Sequence, residues 1–154
     1  MFAENAMIIV RKFKPTDLKR VYEIECKSFK DPYHVMFLLS LYELYSETFF
    51  VAEKNGYVVG YIISRKMDDK AHIIAIAVDS VNRGMGLGSA LMEATMNAFE
   101  STGIREIYLE VRVSNTQAIR FYEAIGFQKK GLLRSYYSDG EDGVLLKRSF
   151  VLPT

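Results

Sequence analysis

Between residues 83 and 88 the chain reads Arg-Gly-Met-Gly-Leu-Gly, three alternating glycines behind one arginine. Glycine lets the backbone reach positive φ and lets a ligand approach closely. The segment leaves an apolar stretch, Ile73–Val78, and enters a helical pattern, so the first amides of that helix fall on it. Such amides have no partners inside the helix, and with the helix dipole they form an anion site suited to a pyrophosphate. Arg83 adds a full positive charge. The backbone from Gly84 through Met85, Gly86, Leu87 and Gly88 to Ser89 is therefore a candidate for gripping two phosphates without a lysine. A P-loop requires Gly-Lys-Ser/Thr, which is missing, and the dinucleotide fingerprint requires G-x-G-x-x-G directly after a first strand. From these six residues alone, a tight loop whose glycines serve only packing stays open.

The elements that must position this turn follow from hydrophobic spacing and turn residues. Residues 7–13 (MIIVRKF) form a β-rich opening closed by Pro15. Thr16 or Asp17 can cap a helix that carries Leu18, Val21, Tyr22, Ile24 and Glu25 and ends near Phe29-Lys30. A second helix is predicted over about 33–45. Two strands, 48–53 and 57–65, flank Asn55-Gly56, a strong hairpin signal. Residues 71–78 form a buried strand with His72 near its start, and the helix after the glycines runs to about Ser101 with Leu87, Leu91, Ala94 and Ala98 inward. Residues 107–113 form a strand in which alternation puts Glu110 on one face with Tyr108 and Arg112. Asn115 caps a helix over 116–125 with Ile119, Tyr122 and Ile125 on one side, and Gly126 stops it. Two last strands, 127–137 and 144–150, flank Ser138-Asp139-Gly140. The order β-α-α-β-β-β-α-β-α-β-β implies an α+β or α/β domain on one mixed sheet with helices on both faces.

A chain of 154 residues is one domain's worth, here read as 1–154. Its 49% apolar and 25% charged residues suit a globular protein, and a net charge of +1 without a basic stripe argues against a nucleic-acid binder. Cys26 is the single cysteine, which excludes an intrachain disulfide and fits a reducing compartment. Neither a membrane span nor a secretory signal at Met1–Asn5 is expected, so the localisation read here is cytoplasmic. No structural metal is required.

The whole pattern resembles the GNAT family of N-acetyltransferases. Arg83–Gly88 matches the family's R/Q-x-x-G-x-G/A signature, and Ile76-Ala77-Val78-Asp79 precedes it at the family's spacing. Downstream, residues 109–115 (LEVRVSN) and 118–127 (AIRFYEAIGF) match the family's second half, so the resemblance spans about 7–150. It is narrowest with the RimI-type and NatA-catalytic-subunit-type protein N-terminal acetyltransferases, through residues 28–33 (SFKDPY), 109–112 (LEVR) and 136–142 (YYSDGED). The family often has an aromatic where Asn82 stands and a second arginine where Gly84 stands.

The resemblance implies an α/β/α layered fold with four helices and a mostly antiparallel seven-stranded sheet, splayed between its fourth and fifth strands. It implies acetyl-CoA as donor, with backbone groups of Ile76, Ala77 and Val78 along the pantetheine arm and the side chain of Asn115 touching the cofactor. An arginine ahead of three glycines, with no lysine, then favours coenzyme A over ATP or NAD. An α-amine of pKa ~7.7–8.0 is mostly protonated at neutral pH, so attack on the thioester needs a base. Glu110 is the first candidate, against a plain surface carboxylate paired with Arg112. His72 is the second, against an exposed strand-end histidine; His34 is read as surface. Tyr122 is the candidate acid for the leaving thiolate, against an aromatic of the helix core. Phe29, Pro32 and Tyr33, with Tyr136 and Tyr137, are implied to hold the acceptor, a peptide or protein N-terminus such as a ribosomal protein or nascent chain. The chain is expected as a monomer or weak dimer. Acetylation of a small amine or a lysine side chain, and a non-catalytic CoA-binding module, are the other readings.

Overall fold

A computed structural model describes residues 7–150. The strands are β1 (Ile8–Lys12), β2 (Phe49–Lys54), β3 (Tyr57–Met67), β4 (Lys70–Val78), β5 (Glu106–Arg112), β6 (Gln128–Leu133) and β7 (Gly143–Ser149). The helices are α1 (Leu18–Ser28), α2 (Val35–Tyr45), α3 (Leu87–Phe99) and α4 (Thr116–Ala124). Their order is the one expected from the sequence. The strands form one mixed, mostly antiparallel sheet in the order β1-β2-β3-β4-β5-β7-β6. The parallel pairing of β4 with β5 covers Lys70–His72 against Glu106–Tyr108. Two compact units are distinguished: one takes in the chain up to Arg65 with Ile74–Ala98, the other Lys66–Ile73 and the chain from Phe99 on. The outermost residues of the 1–154 reading lie outside the described residues. Among the described residues, no helix is long and apolar enough to cross a membrane.

In the first unit, β1, β2 and β3 pair antiparallel. Asn55 and Gly56 turn the β2–β3 hairpin with φ of 52° and 81°, as the Asn-Gly signal requires. Phe13 stacks on Phe49 at 4.1 Å and heads a core with Val21, Ile24, Leu38, Leu41 and Tyr61. Helix α1 starts at Leu18. Asp17 is not its side-chain cap; its carboxylate takes the Lys14 amide at 2.8 Å and the Arg11 guanidinium at 2.8 and 2.9 Å. Helix α2 begins two residues later than the spacing suggests, because His34 caps it, Nδ1 accepting from Met36 N at 3.1 Å. At Gly60 β3 is approached closely: a Cβ there would lie 3.2 Å from the Ala77 carbonyl oxygen and 3.3 Å from Leu91 Cδ1.

Helix α3 corrects the expected inner face. Leu87 and Leu91 are buried, but Met92, Thr95 and Phe99 join them, while Ala98 is exposed. A small alanine contributes little to either face, so the larger apolar side chains decide the rotation.

In the second unit β5 pairs antiparallel with β7, and β7 with β6. Along β5, Ile107, Leu109 and Val111 are buried and the alternate residues half-buried, the pattern of a strand with one packed face. Strand β6 ends at Leu133 instead of continuing to Tyr137; Arg134 and Ser135 turn there, Ser135 with φ of 49°. Tyr136 and Tyr137 are therefore loop residues.

Candidate active site

The glycine turn lies in the first unit. Gly84 and Gly86 have φ of 80° and 79°, and nothing lies within 4 Å of where a Cβ would stand on either. Both face open space, as a phosphate cradle requires. Gly86 O accepts the Ala90 amide at 3.0 Å, so the amides of Leu87, Gly88 and Ser89 fall in the first turn of α3. The exposed Arg83 is steadied by Nε donating to the Val78 carbonyl at 3.1 Å. That engages one of the three backbone positions expected along the pantetheine arm. The turn lacks a lysine of its own, but the end of β2 supplies one: Lys54 Nζ donates to Asn82 Oδ1 at 3.2 Å and lies 3.8 Å from the Met85 sulfur. Arg20 secures the strand's exit by donating to Asp79 and to the Val58 carbonyl, with its guanidinium 4.6 Å over the Tyr57 ring. These residues fit an anionic pyrophosphate: open glycines, a helix N-terminus and nearby cations.

The first aromatic loop is also in this unit. Phe29 and Pro32 are exposed, and the Tyr33 ring packs on Phe37 at 5.0 Å. Beneath it lies a carboxylate that the sequence did not single out. Glu25 is buried at 1% exposure; its Oε2 accepts the Tyr33 amide at 3.0 Å and its Oε1 the hydroxyl of the fully buried Tyr61. Burial pushes the Glu25 carboxyl above its ordinary value, against the pull of those two donors. The signal was an acid on the apolar stripe of α1, at i+4 from Val21.

The second unit holds the candidate proton-transfer groups. His72 Nε2 lies 2.8 Å from Glu110 Oε2. In the tautomer that carries its proton on Nε2, the imidazole donates this bond. Tyr108, on β5, stacks on the His72 ring at 4.7 Å and 18°. The register explains the meeting: His72 pairs with Tyr108, and Glu110 is the next residue on the same face of β5. Arg112, the next residue on that face, pairs with Asp139 and Glu141.

Tyr122 is buried between Phe121 and Phe127, with ring centroids 5.3 and 5.7 Å away. Burial, with the Tyr137 phenol adding to it, lifts its pKa far above the ordinary phenol value. Tyr137 is pushed up to about 12, chiefly by burial. Both phenols are thus protonated at neutral pH and able to donate. Asn115 caps α4, its Oδ1 accepting from Ala118 N at 3.2 Å. Tyr136 and Tyr137 lie edge-on to each other at 5.0 Å. Among the described residues, no group of three or more His, Cys, Asp or Glu could hold a metal ion.

The family model described as acetyltransferase (GNAT) family matches residues 18–127. The chain belongs to that family. An N-alpha-acetyltransferase of Sulfurisphaera tokodaii is 37% identical over 150 residues, covering 89% of this chain and 90% of that one. The crystal structure of Ard1 from Thermoplasma volcanium superposes with a TM-score of 0.90 at 36% identity, covering 94% of this chain and 98% of that one. The ribosomal-protein-S18-alanine N-acetyltransferase of Escherichia coli gives 0.82 at 31%, over 96% and 97%. This GNAT protein is an N-acetyltransferase whose donor is acetyl-CoA. The glycine turn is the part of it that fits the donor's pyrophosphate.

Proposed function

We propose that this acetyltransferase moves the acetyl group of acetyl-CoA to the α-amino group of a protein or peptide N-terminus, by direct attack in a ternary complex. The observation that carries the reading is the His72–Glu110 pair at 2.8 Å, seated on the Tyr108 ring. An incoming ammonium must lose a proton before its nitrogen can attack. Glu110 accepts that proton on its carboxylate, directly or through one water, while the His72 Nε2–H holds the carboxylate in position. Acetyl-CoA, when bound, supplies the reactive thioester. As the carbon–nitrogen bond forms and the carbon–sulfur bond breaks, the Tyr122 phenol gives its proton to the leaving sulfur, and the second proton shed by the new amide nitrogen restores the phenol through solvent. The Ala77 amide donates to the thioester carbonyl. Ile76, Val78 and Asn115 contact the donor, while Phe29, Pro32, Tyr33, Tyr136 and Tyr137 hold the first residues of the acceptor.

The relative from Sulfurisphaera tokodaii is named an N-alpha-acetyltransferase, and the Escherichia coli protein acts on ribosomal protein S18 at alanine. The acceptors proposed for this chain are accordingly protein N-termini, those of ribosomal proteins or nascent chains among them. Peptides with varied first residues, incubated with acetyl-CoA and read by mass spectrometry, should gain one acetyl group on the α-amine. Acetylation confined to lysine side chains, or absent from every N-terminus offered, would falsify the reading.

A further inference from the structure

Residues 134–142 join β6 to β7 and carry Tyr136 and Tyr137. A loop of this length has little regular structure to hold it. One guanidinium from β5 does much of that work. Arg112 Nη1 donates to both carboxylate oxygens of Asp139, at 3.0 and 2.9 Å, and to Glu141 Oε1 at 2.7 Å. Its Cζ lies 4.2 Å from the centroid of the Tyr137 ring. The same two carboxylates tie down backbone: Glu141 Oε2 accepts from Ser114 N, and Asp139 Oδ1 from Glu141 N, both at 3.1 Å. Tyr137 N in turn donates to the Glu141 carbonyl at 3.1 Å.

A plain surface ion pair needs one charge at each end, and a lysine serves as well as an arginine. Here the guanidinium carbon stands over an aromatic ring while a guanidinium nitrogen donates to two carboxylates, so ring contact and hydrogen bonds fall on different atoms of one delocalised cation, a division that the single nitrogen of an ammonium does not offer. The Arg112 side chain is 13% exposed, so its contacts are partly shielded from solvent. It also stands two residues from Glu110 on the same face of β5.

We propose that Arg112 is a positioning residue for the acceptor: it fixes the Tyr137 ring and its loop against the strand that carries Glu110. The inference rests on the N-terminal acetylation reading for what the loop holds. A loop ordered before binding loses less entropy when the peptide arrives, so the effect belongs to acceptor affinity. Donor binding, which draws on the glycine turn, is not involved.

The test uses the full chain with acetyl-CoA and an N-terminal peptide it acetylates. Arg112→Met should raise the peptide KM about tenfold, with kcat and the acetyl-CoA KM held within about twofold. Arg112→Lys should not restore the peptide KM. In a Tyr137→Leu background, Arg112→Met should add little. Independently of turnover, amide exchange across 134–142 should quicken in Arg112→Met. An unmoved peptide KM, restoration by lysine, additive losses with Tyr137→Leu, or unchanged exchange each overturn the proposal. If Arg112→Met does not fold, Glu141→Gln removes one of the two carboxylate charges that hold the guanidinium and carries the same comparisons. If the parent chain acetylates no N-terminus, the functional reading fails on its own, and the exchange comparison still decides whether Arg112 holds the loop.

Discussion

Glu110 and His72 are 38 residues apart in sequence, and a parallel strand pair brings them to 2.8 Å. Strand alternation along β5 puts Arg112 on the same face, and that arginine pairs with the loop's acids, Asp139 and Glu141. Removing the proposed base tests the assignment. Glu110→Gln keeps the shape and loses the charge, so kcat should fall by roughly 10²–10⁴, with the acetyl-CoA KM unchanged. His72→Ala should fall less, since it removes only the partner. Full kcat in both variants would show that neither handles the proton. Glu25 makes a separate case at this scale. Glu25→Ala leaves the Tyr61 hydroxyl buried without its acceptor, which costs about 1–3 kcal/mol of stability. Adding Tyr61→Phe removes the stranded hydroxyl and should recover part of that loss in urea melts; a further loss would point to packing instead. The pH dependence has a definite sign. Glu25 sits above its ordinary carboxyl value in the fold, so the folded state favours its protonated form. That contribution is complete below the unfolded value and fades as pH rises through the folded one.

At the scale of elements, the glycine turn and α3 show what pattern reading resolves. Alternating glycines after an apolar strand located the turn, since positive φ is something the residue type itself announces. The rotation of α3 was misread: spacing chose Leu87, Leu91, Ala94 and Ala98, but LGSALMEATMNAF carries apolar residues on neighbouring positions too, and the larger Met92 and Phe99 outweigh the two alanines. The end of β6 was misplaced because Leu-Leu-Arg-Ser-Tyr-Tyr keeps β-type composition past Leu133, while the Arg112 contacts that hold the loop come from a distant strand. Gly86 makes the prediction for this scale. Alanine in its place would sit at φ of 79°, a conformation that costs an L side chain roughly 1–2 kcal/mol. Calorimetry with coenzyme A should show Gly86→Ala binding at least about fivefold more weakly, with the fold intact by circular dichroism. Unchanged affinity would mean that the turn does not grip the pyrophosphate in this conformation.

For the molecule as a whole, direct transfer requires donor and acceptor to be bound together. Initial-velocity lines should therefore intersect when both substrates are varied; parallel lines would mean an acetylated enzyme intermediate. Cys26, the single cysteine, is exposed on α1 and has no place in the proposed chemistry. Cys26→Ser should keep kcat within about twofold, since surface substitutions away from special features rarely matter.

The amino-acid sequence by itself determined the order of elements, the glycine turn with its arginine, the hairpin at Asn55-Gly56 and the cap at Asn115. All of these depend on residues near one another in the chain, whose backbone preferences and periodicity act locally. The tertiary structure decided the pairings: His72 with Glu110, Glu25 with Tyr61 and Tyr33, Lys54 beside the glycine turn, and Arg112 with the tyrosine loop. Each joins charged or polar groups from separate elements. Such partners are chosen by strand register and burial, which no local preference encodes.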